Sequence, residues 1–250
     1  WLLQSGLIQT RKNNMGAFGG PNIITDGLIL ALDAAASRSY PGSGVTWSDL
    51  SSGANSATSQ ASSSATTAIF NSAGYFNLNE SSDVYFLIPG LNNYNFGSQI
   101  SIEFLMKNTG GDYRAIVQNS NNTSPTSDTI DIRLGREDYY GGGNNGTRCV
   151  FNLNSDSNKA VIFPVARDVW TRVHCNYNGT VMNVYLNGEL FASTSATGGI
   201  NYSANDLKLF RHYTTGEDLV NPFSSIMIYN VALTAAEVLQ NYNAQKNRFI

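Results

Sequence analysis

Trp170-Thr171-Arg172-Val173-His174-Cys175-Asn176-Tyr177-Asn178-Gly179-Thr180-Val181-Met182-Asn183-Val184-Tyr185-Leu186-Asn187-Gly188-Glu189-Leu190-Phe191 reads as two consecutive β-hairpins. Apolar residues alternate along the runs, Asn178-Gly179 turns the chain, and Asn187-Gly188 turns it again. An Asn-Gly pair accepts the positive φ of a type I′ turn, whose twist suits paired antiparallel strands. The stretch is therefore a meander. Val173, Cys175 and Tyr177 share one strand face, and His174, on the other, is expected to be a surface or rim residue.

Outward from the meander, short strands are expected at Leu28 to Ala34, Tyr75 to Leu78, Val84 to Ile88, Gln99 to Lys107, Tyr113 to Gln118 and Thr129 to Leu134. Others follow at Arg148 to Leu153, Val161 to Phe163, Leu207 to Phe210 and Ser225 to Tyr229, and the strands are bounded by Gly, Asn, Asp or Ser. Such spacing indicates a sandwich or barrel and argues against alternating β-α units. Tyr40-Pro41-Gly42-Ser43-Gly44 reads as a turn. Ser51 to Thr67, dominated by Ser, Ala and Thr, lacks large side chains to anchor it and reads as a surface loop. One helix is signalled by the capping box Thr234-Ala235-Ala236-Glu237, with Val238, Leu239 and Tyr242 as its apolar stripe. The expected fold is all-β, an antiparallel two-sheet β-sandwich with one short C-terminal helix.

A chain of 250 residues suits one large β-sandwich with a substantial core. Only 13% of residues are charged, so Ser, Thr, Asn and Gly carry most of the polar surface. A net charge of −3 and a pI near 5.3 provide no electrostatic footprint for nucleic acid. No apolar run approaches the roughly 20 residues that span a bilayer, so no membrane partner is expected. Trp1-Leu2-Leu3 lacks the basic and apolar regions of a secretion signal. Residues 1–20 form an expected N-terminal arm or extension and 21–250 the sandwich domain. Two readings of the arm stand: an upstream remnant, or a segment that pairs with a neighbouring subunit. Cys149 and Cys175 read as two buried free thiols, with a disulfide open if their strands are neighbours.

Three blocks carry a family resemblance. They are Tyr40 to Ser51 (after Asp26-Gly27-Leu28 and Leu32-Asp33-Ala34), Trp170 to Leu190, and Ile228-Tyr229-Asn230-Val231-Ala232-Leu233-Thr234-Ala235-Ala236-Glu237-Val238 running to Lys246. In this order they resemble the concanavalin A-like lectin/glucanase superfamily, specifically the laminin-G-like jelly rolls frequent in phage virion proteins. The resemblance covers about Asp26 to Phe249. It implies a jelly roll and a non-enzymatic virion structural protein, as capsid decoration, head fibre or tail-associated adhesin, assembled in the host cytoplasm. Its partners would be other capsid or tail proteins and host-surface glycans. A purely structural subunit that binds no sugar is the alternative, and a glycan hydrolase the third. Self-association through an exposed β edge or the arm is open, with no symmetry specified. The chain departs from the family pattern at Ser51 to Thr67 and at Phe223-Ser224-Ser225, where a Gly often follows the aromatic.

Glycoside hydrolysis needs two carboxylates flanking the scissile bond. The jelly-roll glucanases place theirs in a Glu-x-Asp-x-x-Glu strand pattern that this sequence lacks. Asp128 and Asp131 are three apart and so point to opposite strand faces, and Glu137-Asp138 sits by a Gly-rich loop. His174 and His212 have no metal-ligand spacing. Neither a Gly-x-Ser-x-Gly elbow nor a phosphate-cradling loop occurs, so no enzymatic activity and no cofactor are expected. Many relatives hold a calcium ion. Asp128, Asp131, Glu137, Asp138, Glu217 and Asp218 offer oxygens, yet no EF-hand order assigns them as ligands, and solvated loop charge is the competing reading.

Sugar sites commonly combine an aromatic platform with amide and carboxylate groups. Asp138, Tyr139, Tyr140, Asn144 and Asn145, around Gly141-Gly142-Gly143, have that chemistry and are the candidate glycan contacts. In a chain with 13 tyrosines, the adjacent pair also reads as a loop anchor.

Overall fold

Period-two alternation is carried through into the computed structural model, which describes residues 22–61, 63–78, 84–91, 94–111, 114–119, 129–135, 148–202, 205–211 and 219–248. In chain order the strands begin with β1 Leu28–Asp33, β2 Thr46–Trp47, β3 Ala57–Ser59, β4 Phe70–Asn71, β5 Tyr75–Asn77, β6 Phe86–Ile88, β7 Ile100–Lys107 and β8 Arg114–Gln118. They continue with β9 Ile130–Leu134, β10 Arg148–Leu153, β11 Ala160–Pro164, β12 Trp170–Tyr177, β13 Val181–Leu186, β14 Glu189–Ser195, β15 Leu207–Leu209 and β16 Pro222–Tyr229. The helices are α1 Ser63–Ile69 and α2 Ala235–Gln245. Among the described residues one sheet has the order β14-β13-β12-β7-β16-β5-β4, with β1 also pairing β16. The other has the order β11-β10-β9-β8-β15-β6-β3-β2. The strand pairings are antiparallel, so the expected two-sheet sandwich with its C-terminal helix is the fold found.

Inward-facing residues of both sheets interdigitate. Ile100, Ile102, Phe104 and Met106 of β7, with Val173, Cys175 and Tyr177 of β12, meet Ile130, Ile132 and Leu134 of β9 and Cys149, Phe151 and Leu153 of β10. Cys149 and Cys175 are buried free thiols on strands of different sheets. Burial pushes both thiols up from their ordinary range, which keeps them protonated and unreactive. A second, smaller apolar cluster lies on the other face of the first sheet, where Tyr185, Met227 and Tyr229 pack with Leu233 and Val238. α2 therefore covers a face that would otherwise be wet.

The meander has the expected strands, and its two turns differ from each other. Asn187 and Gly188 both adopt positive φ, 51° and 84°, as a type I′ turn requires, and Leu186 pairs with Glu189. At the first turn only Gly179 does, with φ of 93°, and Asn178 N donates to Val181 O at 3.2 Å. Gly179-Thr180 are thus the central residues, with the sign pattern of a type II′ turn. Asn178 serves as the flanking residue whose Oδ1 accepts from Thr180 N at 3.0 Å and Val181 N at 2.9 Å. Its side chain caps the turn and leaves the positive φ to glycine.

Ser51 to Thr67 is more than a surface loop. It contributes β3, which pairs with β2 and β6, and the start of α1, a seven-residue helix additional to the one expected. Ala57 and Thr66 are fully buried. Small side chains fit here because Trp47, Phe76 and Phe86 fill the adjoining space, their ring centroids 4.9 to 5.3 Å apart. The polar groups find each other, Ser59 Oγ lying 3.1 Å from Thr66 Oγ1.

α2 begins on the expected capping box. Thr234 Oγ1 accepts from Glu237 N at 3.3 Å, and Glu237 Oε2 accepts from Thr234 N at 2.9 Å. Leu239, read as part of the apolar stripe, is 45% exposed. The docked face instead runs Val238, Asn241, Tyr242 and Gln245, with a fully buried amide in its centre. Thr234→Ala removes the acceptor for one first-turn amide and is expected to lower stability by about 1 kcal/mol, measured by urea denaturation.

Candidate functional site

The candidate glycan contacts Asp138, Tyr139, Tyr140, Asn144 and Asn145 lie outside the described residues, as do Asp128, Glu137, His212, Glu217 and Asp218. The strands flanking 136–147 are described. β9 and β10 pair from Ile130↔Leu153 to Leu134↔Cys149, and Gly135 N donates to Arg148 O at 2.7 Å. β9 therefore ends and β10 begins at the same end of the second sheet. Asp131 is the described member of the candidate calcium donors. It is buried, and its Oδ1 accepts from Arg133 Nε at 2.5 Å, so its charge is met by a neighbouring cation. Among the described residues no three His, Cys, Asp or Glu side chains are grouped to hold a metal ion.

Asp131 belongs to a polar row across the outer face of the second sheet. Lys208, Gln118, Asp131 and Asn152 are successive cross-strand partners on β15, β8, β9 and β10, and all four are buried. Alternation marks each of them as outward-facing, but nothing local signals that they are covered.

The denser polar cluster lies under α2, on the outer face of the first sheet. Glu103 on β7 is the direct cross-strand partner of His174 on β12. Glu103 Oε1 accepts from Arg172 Nη1 at 3.0 Å, and Oε2 lies 3.3 Å from His174 Nδ1. Asn241 Nδ2 of α2 donates to Glu103 Oε2 at 3.1 Å and to Tyr229 Oη at 2.9 Å, while its Oδ1 accepts from Ile24 N at 2.7 Å. One amide so joins the helix, the sheet and the segment before β1. His174 is not the surface residue its strand position indicated: it is 1% exposed. The face opposite a β core is dry wherever a helix lies on it, and no periodicity within β12 reports that.

Burial raises the Glu103 carboxyl, yet the His174 hydrogen bond and the Arg172 guanidinium outweigh it, and the net is a carboxyl below its ordinary value. Glu103 therefore stays ionised and has the opposite character to a general acid, which needs a raised value.

Beyond Arg172, between the end of α2 and the first sheet, opens a cavity of about 240 Å³. Trp170 and Tyr242 give it aromatic walls, and Asn187 and Gln245 bring amides. Trp170 is set by an edge contact with Tyr75, ring centroids 5.3 Å apart. Asn187 is anchored through its Oδ1, which accepts from Arg172 N at 3.0 Å. The next residue must be glycine: a Cβ on Gly188 would come within 2.9 Å of Tyr242 Cβ, so the second hairpin turn and the helix tail shape the cavity together. Sequence reasoning missed this site, because its residues are some 70 positions apart and each alone reads as ordinary.

A laminin-G-type family model, described as the concanavalin A-like lectin/glucanases superfamily, matches residues 79–239. No curated protein matches the sequence. The crystal structure of the binding domain of Paraclostridial Mosquitocidal Protein 1 superposes with a TM-score of 0.60 at 14% identity, covering 88% of this chain and 53% of that one. The botulinum neurotoxin serotype D binding domain gives 0.60 at 14%, with 90% and 52% covered. For the serotype G binding domain the values are 0.54, 17%, 86% and 50%. The chain spans about half the length of these neighbours, and at such identities the likeness is one of fold.

Proposed function

Because the chain belongs to the concanavalin A-like lectin/glucanase superfamily, we propose that it acts by non-covalent recognition of host-surface glycans, as a lectin-like jelly roll displayed on a phage particle. The observation that carries the glycan reading is the cavity beside α2, whose aromatic walls and amides match what a sugar ring presents, apolar faces edged by hydroxyls. The solved neighbours being binding domains supports recognition over catalysis. So does Glu103, an acid committed to an ion pair. The phage setting rests on the resemblance of Tyr40 to Ser51, the meander and the terminal strand and helix to virion jelly rolls. In that setting the chain decorates the capsid, a head fibre or the tail, is assembled in the host cytoplasm, and touches other virion proteins as well as the glycan. Asp138, Tyr139, Tyr140, Asn144 and Asn145 form a second glycan contact in this proposal.

A purely structural subunit is the competing reading, favoured by Leu190 and Phe191 on the sheet-edge strand β14, which are 58% and 51% exposed. A glycan array probed with the intact protein separates the two. Retention on at least one glycan class is expected, together with weaker retention for Tyr139→Ala/Tyr140→Ala and no release of reducing sugar. Since no resident cofactor is proposed, chelation of calcium is expected to leave retention unchanged. A blank array, with the chain located between capsid or tail subunits in particle density, would replace this reading with the structural one.

A further inference from the structure

We propose that the cavity beside α2 is a carboxylate-selective saccharide subsite, in which Arg172 and Arg248 hold the carboxylate of an acidic sugar while Trp170 and Tyr242 border its ring. The inference rests on the glycan-binding reading and adds the chemical class of the ligand and the residues that select it.

Charge is the first observation. Arg172, Lys246 and Arg248 line the cavity, and among the described residues no carboxylate side chain does. Two acids stand behind the wall: Glu103 pairs with Arg172 Nη1 at 3.0 Å, and Asp33 with Arg248 Nη2 at 2.5 Å. Among the described residues these five charges leave a cationic excess at the cavity, and Lys246, whose Nζ donates to Asn243 Oδ1 at 3.0 Å, carries it at the exposed rim.

Hydrogen bonding adds a second observation. Each guanidinium uses one terminal nitrogen on its acid, and the other, Arg172 Nη2 or Arg248 Nη1, is buried without an acceptor among the described residues. The Arg172 side chain is only 4% exposed, so water does not make up the deficit. A buried charged donor with no acceptor is a costly arrangement that native structures keep for a reason. Both residues line the same cavity, and a planar, two-oxygen anion seated in it is the group to which guanidinium donors are matched. A neutral sugar offers only hydroxyls and leaves the charge excess unmet.

Size and shape select the rest of the ligand. At about 240 Å³ the cavity falls just under the ~300 Å³ at which pockets for drug-sized ligands begin, so it takes one sugar unit. Acetate would satisfy the guanidinium groups and leave Trp170 and Tyr242 without a partner.

Titration of the intact protein with D-glucuronic acid and N-acetylneuraminic acid, against D-glucose and the methyl ester of N-acetylneuraminic acid, tests the proposal. The acids are expected to bind about tenfold or more tightly than their neutral counterparts, to outbind acetate, and to weaken as salt is raised. Arg172→Lys bears on the centre of the site but also disturbs the Glu103 pair. Arg248→Gln likewise releases Asp33 and is read beside Asp33→Asn, whereas Lys246→Gln at the rim alters a cation bonded to the Asn243 amide; both Gln variants are expected to weaken acid binding several-fold with near-UV circular dichroism unchanged. Equal affinity for N-acetylneuraminic acid and its methyl ester would overturn the proposal, as would unaltered binding by Arg248→Gln. Acetate or a peptide C-terminus binding as well as the acids would overturn its saccharide half. Neutral glycans retained on the array with no preference for acids would refute this subsite and leave the glycan reading standing, whereas a blank array removes both.

Discussion

Glu103→Ala is expected to destabilise the fold by about 3–5 kcal/mol, because it strips the acid from a buried ion pair and leaves its cation behind. Glu103 and Arg172 are 1% and 4% exposed, and both lie beneath α2. Without the carboxylate, Arg172 Nη1 joins Nη2 in having no acceptor, and Asn241 loses a partner that ties the helix to the sheet. The loss is measured by urea unfolding at neutral pH. Glu103→Leu combined with Arg172→Leu is expected to recover much of it, since removing both charges removes the desolvation penalty as well. A double variant as unstable as Glu103→Ala would show that the pair itself, and not the orphaned guanidinium, carries the stability. The acid limb of the stability profile reports the same group. Its carboxyl is lower in the folded chain than the ordinary 4.5 of the unfolded one, so its contribution is complete above that pH and is lost as pH falls below it through the folded value. Glu103→Gln is expected to flatten that limb.

Phe76→Ala is expected to cost about 3–5 kcal/mol by opening a cavity at the point where the two sheets meet. Phe76 is fully buried, with ring centroids 4.9 Å from Tyr40, 4.9 Å from Trp47 and 5.3 Å from Phe86. It lies on β5 of the first sheet, and Trp47 and Phe86 are on β2 and β6 of the second, so its removal separates rings that no backbone hydrogen bond holds together. Rigid strands on both sides limit collapse into the space, which keeps the loss in the upper part of the usual range. Phe191→Ala on the exposed edge of β14 removes the same side chain and is expected to shift stability by less than about 0.5 kcal/mol. Urea midpoints for the two variants compare them directly.

These expectations differ in how far the sequence alone could have led to them. The strand of Phe76 and the helix that begins after Thr234 are legible in short windows, because alternation, turn residues and a capping box act over a few residues. The Asn187-Gly188 turn is legible for the same reason, down to the sign of both φ angles. Asn178-Gly179 looks identical in sequence and turns differently, since its asparagine side chain captures the amides of Thr180 and Val181. Ser51 to Thr67 was misleading because composition describes bulk, and whether small residues are buried depends on the aromatic rings beside them.

The amino-acid sequence by itself determined the longer strands, the better hairpin turn, the helix start and the two-faced character of each sheet, because dihedral preference and the two-residue period are properties of the local chain, whereas the short β2, β3 and β4 escaped it. Only the tertiary structure decided that α2 covers the outer face of β7 and β12, that His174 and Glu103 are buried there, and that Trp170, Arg172 and Tyr242 wall one cavity. Burial and proximity belong to surfaces that meet across long stretches of chain, and no residue carries in its own neighbourhood the identity of what will be packed against it.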